Sequence, residues 1–337
     1  MPLPFHLYGS VPLAGGATTL HRALTATLTD RVSTATASAL TALGPQITRW
    51  GLTVTALPTT TTRMTNPHEL GGGEVTWHGD EAAIGWPALT GRLVITPQSR
   101  HRARLLLLSH RSPDAELATD RIDRLHRRRI VEVSVQRFLH ELARNLDGDT
   151  GDTADTGDTA AGDGGTRAFT RAFDRSPLFL HHLQDLDTDP DTARGWLLTG
   201  LDDLATHATT VAISRAHAAL EAGRFRSPAQ PRVQARPARP QDPATAWIRW
   251  TGDEEATGWP QLELSLLVQA HGDRAALAVL SAREPSYDLS RNRIDKHQRH
   301  QILQQAGAAL AAALTDQLPA TITRRPGQPR ELVSARS

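Results

Sequence analysis

The feature that most constrains this chain is that it is written twice. Residues 77–95 read WHGDEAAIGWPALTGRLVI and residues 250–268 read WTGDEEATGWPQLELSLLV, identical at ten of 19 positions with an offset of 173. A one-residue deletion then shortens the offset to 172, and residues 103–130 match residues 275–302 at 12 of 28 positions. Unrelated segments of ordinary composition agree at roughly one position in fifteen. The fold is therefore to be sought as one unit used twice. A chain of 337 residues allows each copy a hydrophobic core of its own.

Between the copies lies an Asp/Gly/Thr segment, residues 147–167, with the run DGDTGDTADTGDTAAGDGG and no large apolar side chain before its end. Such a segment cannot offset its own ordering entropy and reads as a flexible linker. Asp147, Asp149 and Asp152 cluster there, but without EF-hand spacing or its closing glutamate. The expected organisation is a first unit at 1–146, the linker, a second unit at 168–318, and a disordered tail at 319–337.

Within a unit, residues 5–11 alternate as a short strand. Leu20, Leu24, Leu28, Val32, Ala39, Leu40 and Leu43 recur at helical spacing, with a break into two helices expected at Asp30 or Ser33. Gly44-Pro45 is expected to end that run. Strands are expected over 52–62, 74–78, 89–95 and 103–111. Leu93 and Ile95 share one face of the third of these, and Ala103, Leu105, Leu107, Ser109 and Arg111 share one face of the fourth. The second copy repeats the pattern with Leu262, Leu264, Leu266, Val268, then Ala275, Leu277, Val279, Ser281 and Arg283, so both copies should bury the same face. The counterpart of the first strand is weak at 168–179, and the Pro-rich stretch 226–243 blurs the next strands. After Pro113 or Pro285 a long helix carries the stripe Ile122, Ile130, Ser134, Phe138, Leu142, matched by Ile294, Ile302, Ala306, Leu310, Leu314. The expected class is α+β: an antiparallel sheet around one long C-terminal helix, with short helices after the first strand.

Order and residues together resemble the helix-grip proteins of the START/Bet v 1/polyketide-cyclase (SRPBCC) superfamily. The resemblance rests on Trp77, Gly85-Trp86-Pro87, Leu89-x-Gly91-x-Leu93, the leucine strand ending Ser109-x-Arg111-x-Pro113, and helix 121–142. It covers roughly 5–146 and 168–318. It implies a curved sheet gripping the helix, and between them a cavity for a hydrophobic small molecule, lipid or polyketide-like. The residues it would place there are Trp77, Trp86, Leu93, Leu105, Leu107, Arg111 and Asp123, with Trp250, Trp259, Leu266, Leu277, Arg283 and Asp295 in the second copy. The resemblance leaves open a cyclase/aromatase-like activity. A third reading is a noncatalytic pair of copies packed as a pseudo-dimer, an interaction or regulatory module.

The residues themselves have plainer explanations alongside. The tryptophans serve as core plugs as readily as cavity walls. Gly79-Asp80-Glu81 and Gly252-Asp253-Glu254 suit a polar hairpin better than an acid–base pair. Arg111 with Asp123, and Arg283 with Asp295, would either anchor helix to sheet or mark the polar end of a cavity. The arginines at 121, 124 and 128 fall on a solvent stripe, and a net charge of +1 offers no field for nucleic acid. With no cysteine and no third ligand beside His181-His182 or His297-x-x-His300, neither a metal nor another cofactor is expected. The N-terminus has no signal-peptide pattern and no apolar run spans a bilayer, so a cytoplasmic protein without membrane span is expected.

Overall fold

The computed structural model describes residues 4–49, 57–66, 68–78, 86, 88–110, 121–148, 178–222, 231–239, 242, 244–251, 261–282 and 313–314, with backbone only at 47, 121–132, 216, 218–220 and 222. The chain is α+β, with two antiparallel five-stranded sheets. In the first unit, strand β1 (His6–Ala14) leads into helices α1 (Ala17–Ala26) and α2 (Leu28–Arg49). Strands β2 (Thr59–Met64), β3 (Gly73–His78), β4 (Leu89–Ser99) and β5 (Arg102–Ser109) follow, then helix α3 (Arg121–Asp147). The helical pair carries the chain to the far edge of the sheet, and β2 to β5 return as a meander until β5 pairs with β1, giving the order β1-β5-β4-β3-β2.

The second unit repeats this element by element as far as its last described strand. Strand β6 (Phe179–Leu186), helices α4 (Pro190–Thr199) and α5 (Leu201–Ala222), and strands β7 (Arg232–Pro237), β8 (Ala246–Thr251), β9 (Leu262–His271) and β10 (Arg274–Ser281) form the order β6-β10-β9-β8-β7. Helices α4 and α5 begin and end 173 residues after α1 and α2. The duplication thus covers the N-terminal half of the unit, where identity is too low to reveal it.

Several local expectations are revised. The helical break falls at Thr27, ahead of Asp30 and Ser33, and α2 continues through Pro45 to Arg49. Proline removes one helical hydrogen bond, a local penalty. Here Ala39, Leu40 and Leu43 are buried just before it, where α2 packs on α3, and the helix persists. The first described strand of the second unit is 179–186; residues 168–177 of the expected 168–179 lie outside the described residues. Its polar run His181-His182 hides the alternation, and pairing with β10 places it. The second strand is β2 at 59–64; residues 52–56 of the expected 52–62 lie outside the described residues. Asp147, read as the start of the linker, ends α3 and accepts a hydrogen bond from the Ala14 amide at 3.0 Å.

The central strands of each sheet are buried on both faces. One face meets the unit's own helices: Leu93, Ile95, Leu105 and Leu107 share a cluster with Val32 of α2 and Phe138 and Leu142 of α3. Leu264, Leu266, Val268, Leu277 and Val279 do the same with Ala205 and Ala208 of α5 and with Leu314. The other faces meet each other. Phe5, Leu7, Val94, Leu106 and Leu108 pack with Leu178, Leu180, Leu267, Ala278 and Leu280. These are the same five positions of the two copies, so the seam has the self-complementarity of a two-fold interface. At its end Phe5 and Leu178, themselves equivalent, exchange backbone hydrogen bonds of 2.8 and 2.7 Å. Between the sheets, Leu106, Leu108, Leu178, Leu267 and Leu280 line a cavity of about 10 Å³, no more than one water molecule.

The seam departs from symmetry at one polar cluster. His21 of α1 is buried; its Nδ1 accepts the Gly272 amide at 3.2 Å, and its ring lies 5.9 Å from that of His271. Beside it the Gly71 amide donates to Gln269 Oε1 at 2.9 Å, and Gly72 leaves no room for a side chain against the His21 ring. Arg22 pairs with Asp273 at the rim. The second copy has Arg194 where the first has His21.

Candidate ligand-binding interior

The helix-facing interior of the first unit is built around three aromatic rings. Strand β3 alternates buried Val75 and Trp77 with less buried neighbours, which turns Trp77 toward α2 and α3. Its Nε1–H donates to Thr36 Oγ1 of α2 at 3.1 Å, which satisfies the indole and fixes its orientation. Phe138 of α3 meets the Trp77 ring edge-on, centroids 4.8 Å apart and planes at 87°. Trp86 completes the group, 5.8 Å from Trp77 and 6.5 Å from Phe138. Edge-to-face contacts of this kind add stabilisation beyond area burial.

Two polar atoms in this interior have no partner among the described residues: Trp86 Nε1 and Ser134 Oγ. Both side chains are fully buried, at 0% exposure. Ser134 lies one helical turn before Phe138, on the same face of α3 as Phe138 and Leu142. An orphaned buried polar group costs about 1–3 kcal/mol, and native interiors hold few of them. The indole nitrogen can only donate, whereas the hydroxyl can donate or accept.

In the second unit the corresponding indole is satisfied in the same way. Trp250 Nε1 donates to Thr209 Oγ1 at 3.0 Å, repeating the Trp77–Thr36 bond 173 residues later. A second polar pair is described here. His181 Nε2 lies 2.7 Å from Ser281 Oγ, and burial pushes the imidazole down to about 4, so it is neutral at physiological pH. His181 is the extra residue of a bulge in β6, as Tyr8 is in β1. Bulges re-aim side chains, and the two copies have used the same bulge for different groups.

Of the expected site residues, Trp77, Trp86, Leu93, Leu105 and Leu107 come together in one interior, and Trp250, Leu266 and Leu277 in the other. Arg111, Trp259, Arg283 and Asp295 lie outside the described residues, as does the side chain of Asp123 at the start of α3. The carboxylate pairs at 80–81 and 253–254 lie outside them too. Reading the sequence for chemistry missed Thr36 and Thr209. Their signal was available: a threonine kept at the same offset inside two apolar helices, 41 residues before a kept tryptophan. Ser134 was visible as the one polar member of the α3 stripe. The seam cluster of His21, Gln269 and His271 had no signal, because its members come from distant elements.

Among the described residues no group of three metal-ligating side chains converges, and no helix is long and apolar enough to cross a membrane. No family model, no curated protein and no solved structure matches this chain.

Proposed function

We propose that the two units follow the helix-grip plan and that the protein binds an apolar small molecule between sheet and long helix. The observation that carries this reading is the pair of orphaned groups, Trp86 Nε1 and Ser134 Oγ, held inside an otherwise apolar interior. A packed core with no guest favours an apolar atom at such positions, because the desolvated polar group is a net cost. A guest that brings a polar atom offsets that cost. The seam covers the outer faces of the central strands, and the helix-facing interiors are where this reading places a guest.

The test is native mass spectrometry of the full chain after gentle purification, followed by extraction and titration with a panel of apolar compounds. A retained mass of small-molecule size, or saturable binding that quenches tryptophan fluorescence, is the expected result. A chain that arrives empty and binds nothing in the panel overturns the reading. The seam favours a second reading, a noncatalytic interaction module in which the duplication makes one rigid pseudo-dimer. An empty, non-binding chain would move the weight to it.

A further inference from the structure

The seam between the sheets is symmetric in its apolar part and asymmetric in its polar part. Phe5, Leu7, Val94, Leu106 and Leu108 share one cluster with their own equivalents, and Phe5 and Leu178 exchange backbone hydrogen bonds. Such a face is self-complementary in the manner of a two-fold dimer. The polar cluster is not. Gly71 donates to Gln269, His21 accepts from Gly272, and Arg22 pairs with Asp273. If another first unit took the second unit's place, the repeat would put Thr96 where Gln269 stands. The turn Gln98-Ser99-Arg100-His101 would replace His271-Gly272-Asp273, so Arg22 would face basic residues. Leu106 would also stand where Ala278 does, in a seam whose cavity is about 10 Å³. If another second unit took the first unit's place, Arg194 would stand for His21 and Gly195 for Arg22, and Asp273 would lose its cation.

We propose that the seam joins a first unit to a second unit, of the same chain or of a second copy of it, and never like to like, so that two chains can exchange units. Asp147, at the end of α3, accepts from Ala14 at the end of β1, and Leu178 lies beside Phe5, just before β1 begins. The end of one unit and the start of the next are therefore separated by about the length of the nine-residue strand β1, some ~30 Å. Residues 149–177, 29 in number, reach at most about 100 Å. That is ample for a seam within one chain, and long enough to cross to a second chain in a closed pair with both seams made. A connection able to span the sites holds its own second unit at an effective concentration of about millimolar. The single chain is thus favoured in dilute solution, and the exchanged pair is exposed by taking the span away. None of this depends on what either interior holds.

The experiment is native mass spectrometry in dilute solution, with circular dichroism to confirm that each variant is folded. The wild type is expected as one chain. A variant lacking residues 150–176 keeps only Gly148, Asp149 and Pro177 between the units, a reach of about 14 Å. It is expected to shift to assemblies of two or more chains, and Leu267→Asp in the same variant should return it to single chains. A second arm leaves the connection whole. Leu106→Asp disables the seam face of the first unit and Leu267→Asp that of the second. Each full-length variant alone is expected as one chain. Mixed, they should form a one-to-one pair, because one offers an intact second unit and the other an intact first. A deletion variant that stays a single chain, or a mixture that gives no pair, would overturn the proposal. So would a pair formed by either point variant alone, since that seam would join like to like.

Discussion

His21 ties helix α1 of the first unit to the β9–β10 turn of the second, and it does so only when neutral. Its Nδ1 accepts the Gly272 amide, so a proton on that nitrogen would set two donors against each other. Burial is the main force holding the imidazole neutral; the neighbouring His271 adds to it and Asp273 opposes, leaving a value of about 4 in place of 6.5. The folded state thus binds this proton more weakly than the unfolded chain. Stability from this group is fully present above pH 6.5 and is lost as pH falls from there toward 4. At 1.36 kcal/mol per unit, the full loss is about 3 kcal/mol. Urea unfolding of the wild type and of His21→Leu from pH 7 to pH 4 reads it directly. The variant is less stable at neutral pH, because Gly272 loses its acceptor. The gap should close, and then reverse in sign, as the wild type loses about 3 kcal/mol more than the variant. His181, also held near 4, titrates in both proteins and cancels in the difference. Parallel pH profiles would refute the argument, since they would show His21 accessible to protons in the folded state.

Further outcomes follow from the same packing. Ser134→Ala removes a buried orphan, so in the ligand-free chain it should raise stability by about 1 kcal/mol, read as a higher urea midpoint. Thr36→Val strips the acceptor from Trp77 and should cost about 1–3 kcal/mol, but far less in a Trp77→Phe background; a double-mutant cycle measures the difference. Leu267→Asp places a charge in the seam and should lower the stability of the whole chain by at least about 3 kcal/mol by chemical denaturation. If the sheets did not pack together, the same change would face water and cost almost nothing. Gly72→Ala drives a methyl into the His21 ring and should cost about 1–3 kcal/mol, a loss that His21→Ala in the same chain partly restores.

What the chain's own residues determine is the unit and its inner face. The repeat announces two copies, and alternation over Leu93, Ile95, Leu105 and Leu107 places those side chains together, as they are found. The same holds for Leu266, Leu277 and Val279 in the second copy. A period of two says which side chains share a face, and a kept tryptophan says which face matters. It cannot say what covers the opposite face. Residues 105–108 are four consecutive leucines, apolar on both sides, and only the tertiary structure sends Leu106 and Leu108 to a seam made with the other copy. That decision depends on the shape of two whole sheets. Local rules also fail where packing overrides them, as at Pro45, which sits inside α2 because the residues before it are buried against α3. The orphaned groups belong to the same class. Trp86 and Ser134 are ordinary in sequence, and whether an indole or a hydroxyl finds a partner depends on which atoms the fold brings within 3 Å or so of it. The repeat thus tells which structure was copied. The folded interiors tell that the copies differ, since the bulge position is Tyr8 in the first and His181, bonded to Ser281, in the second.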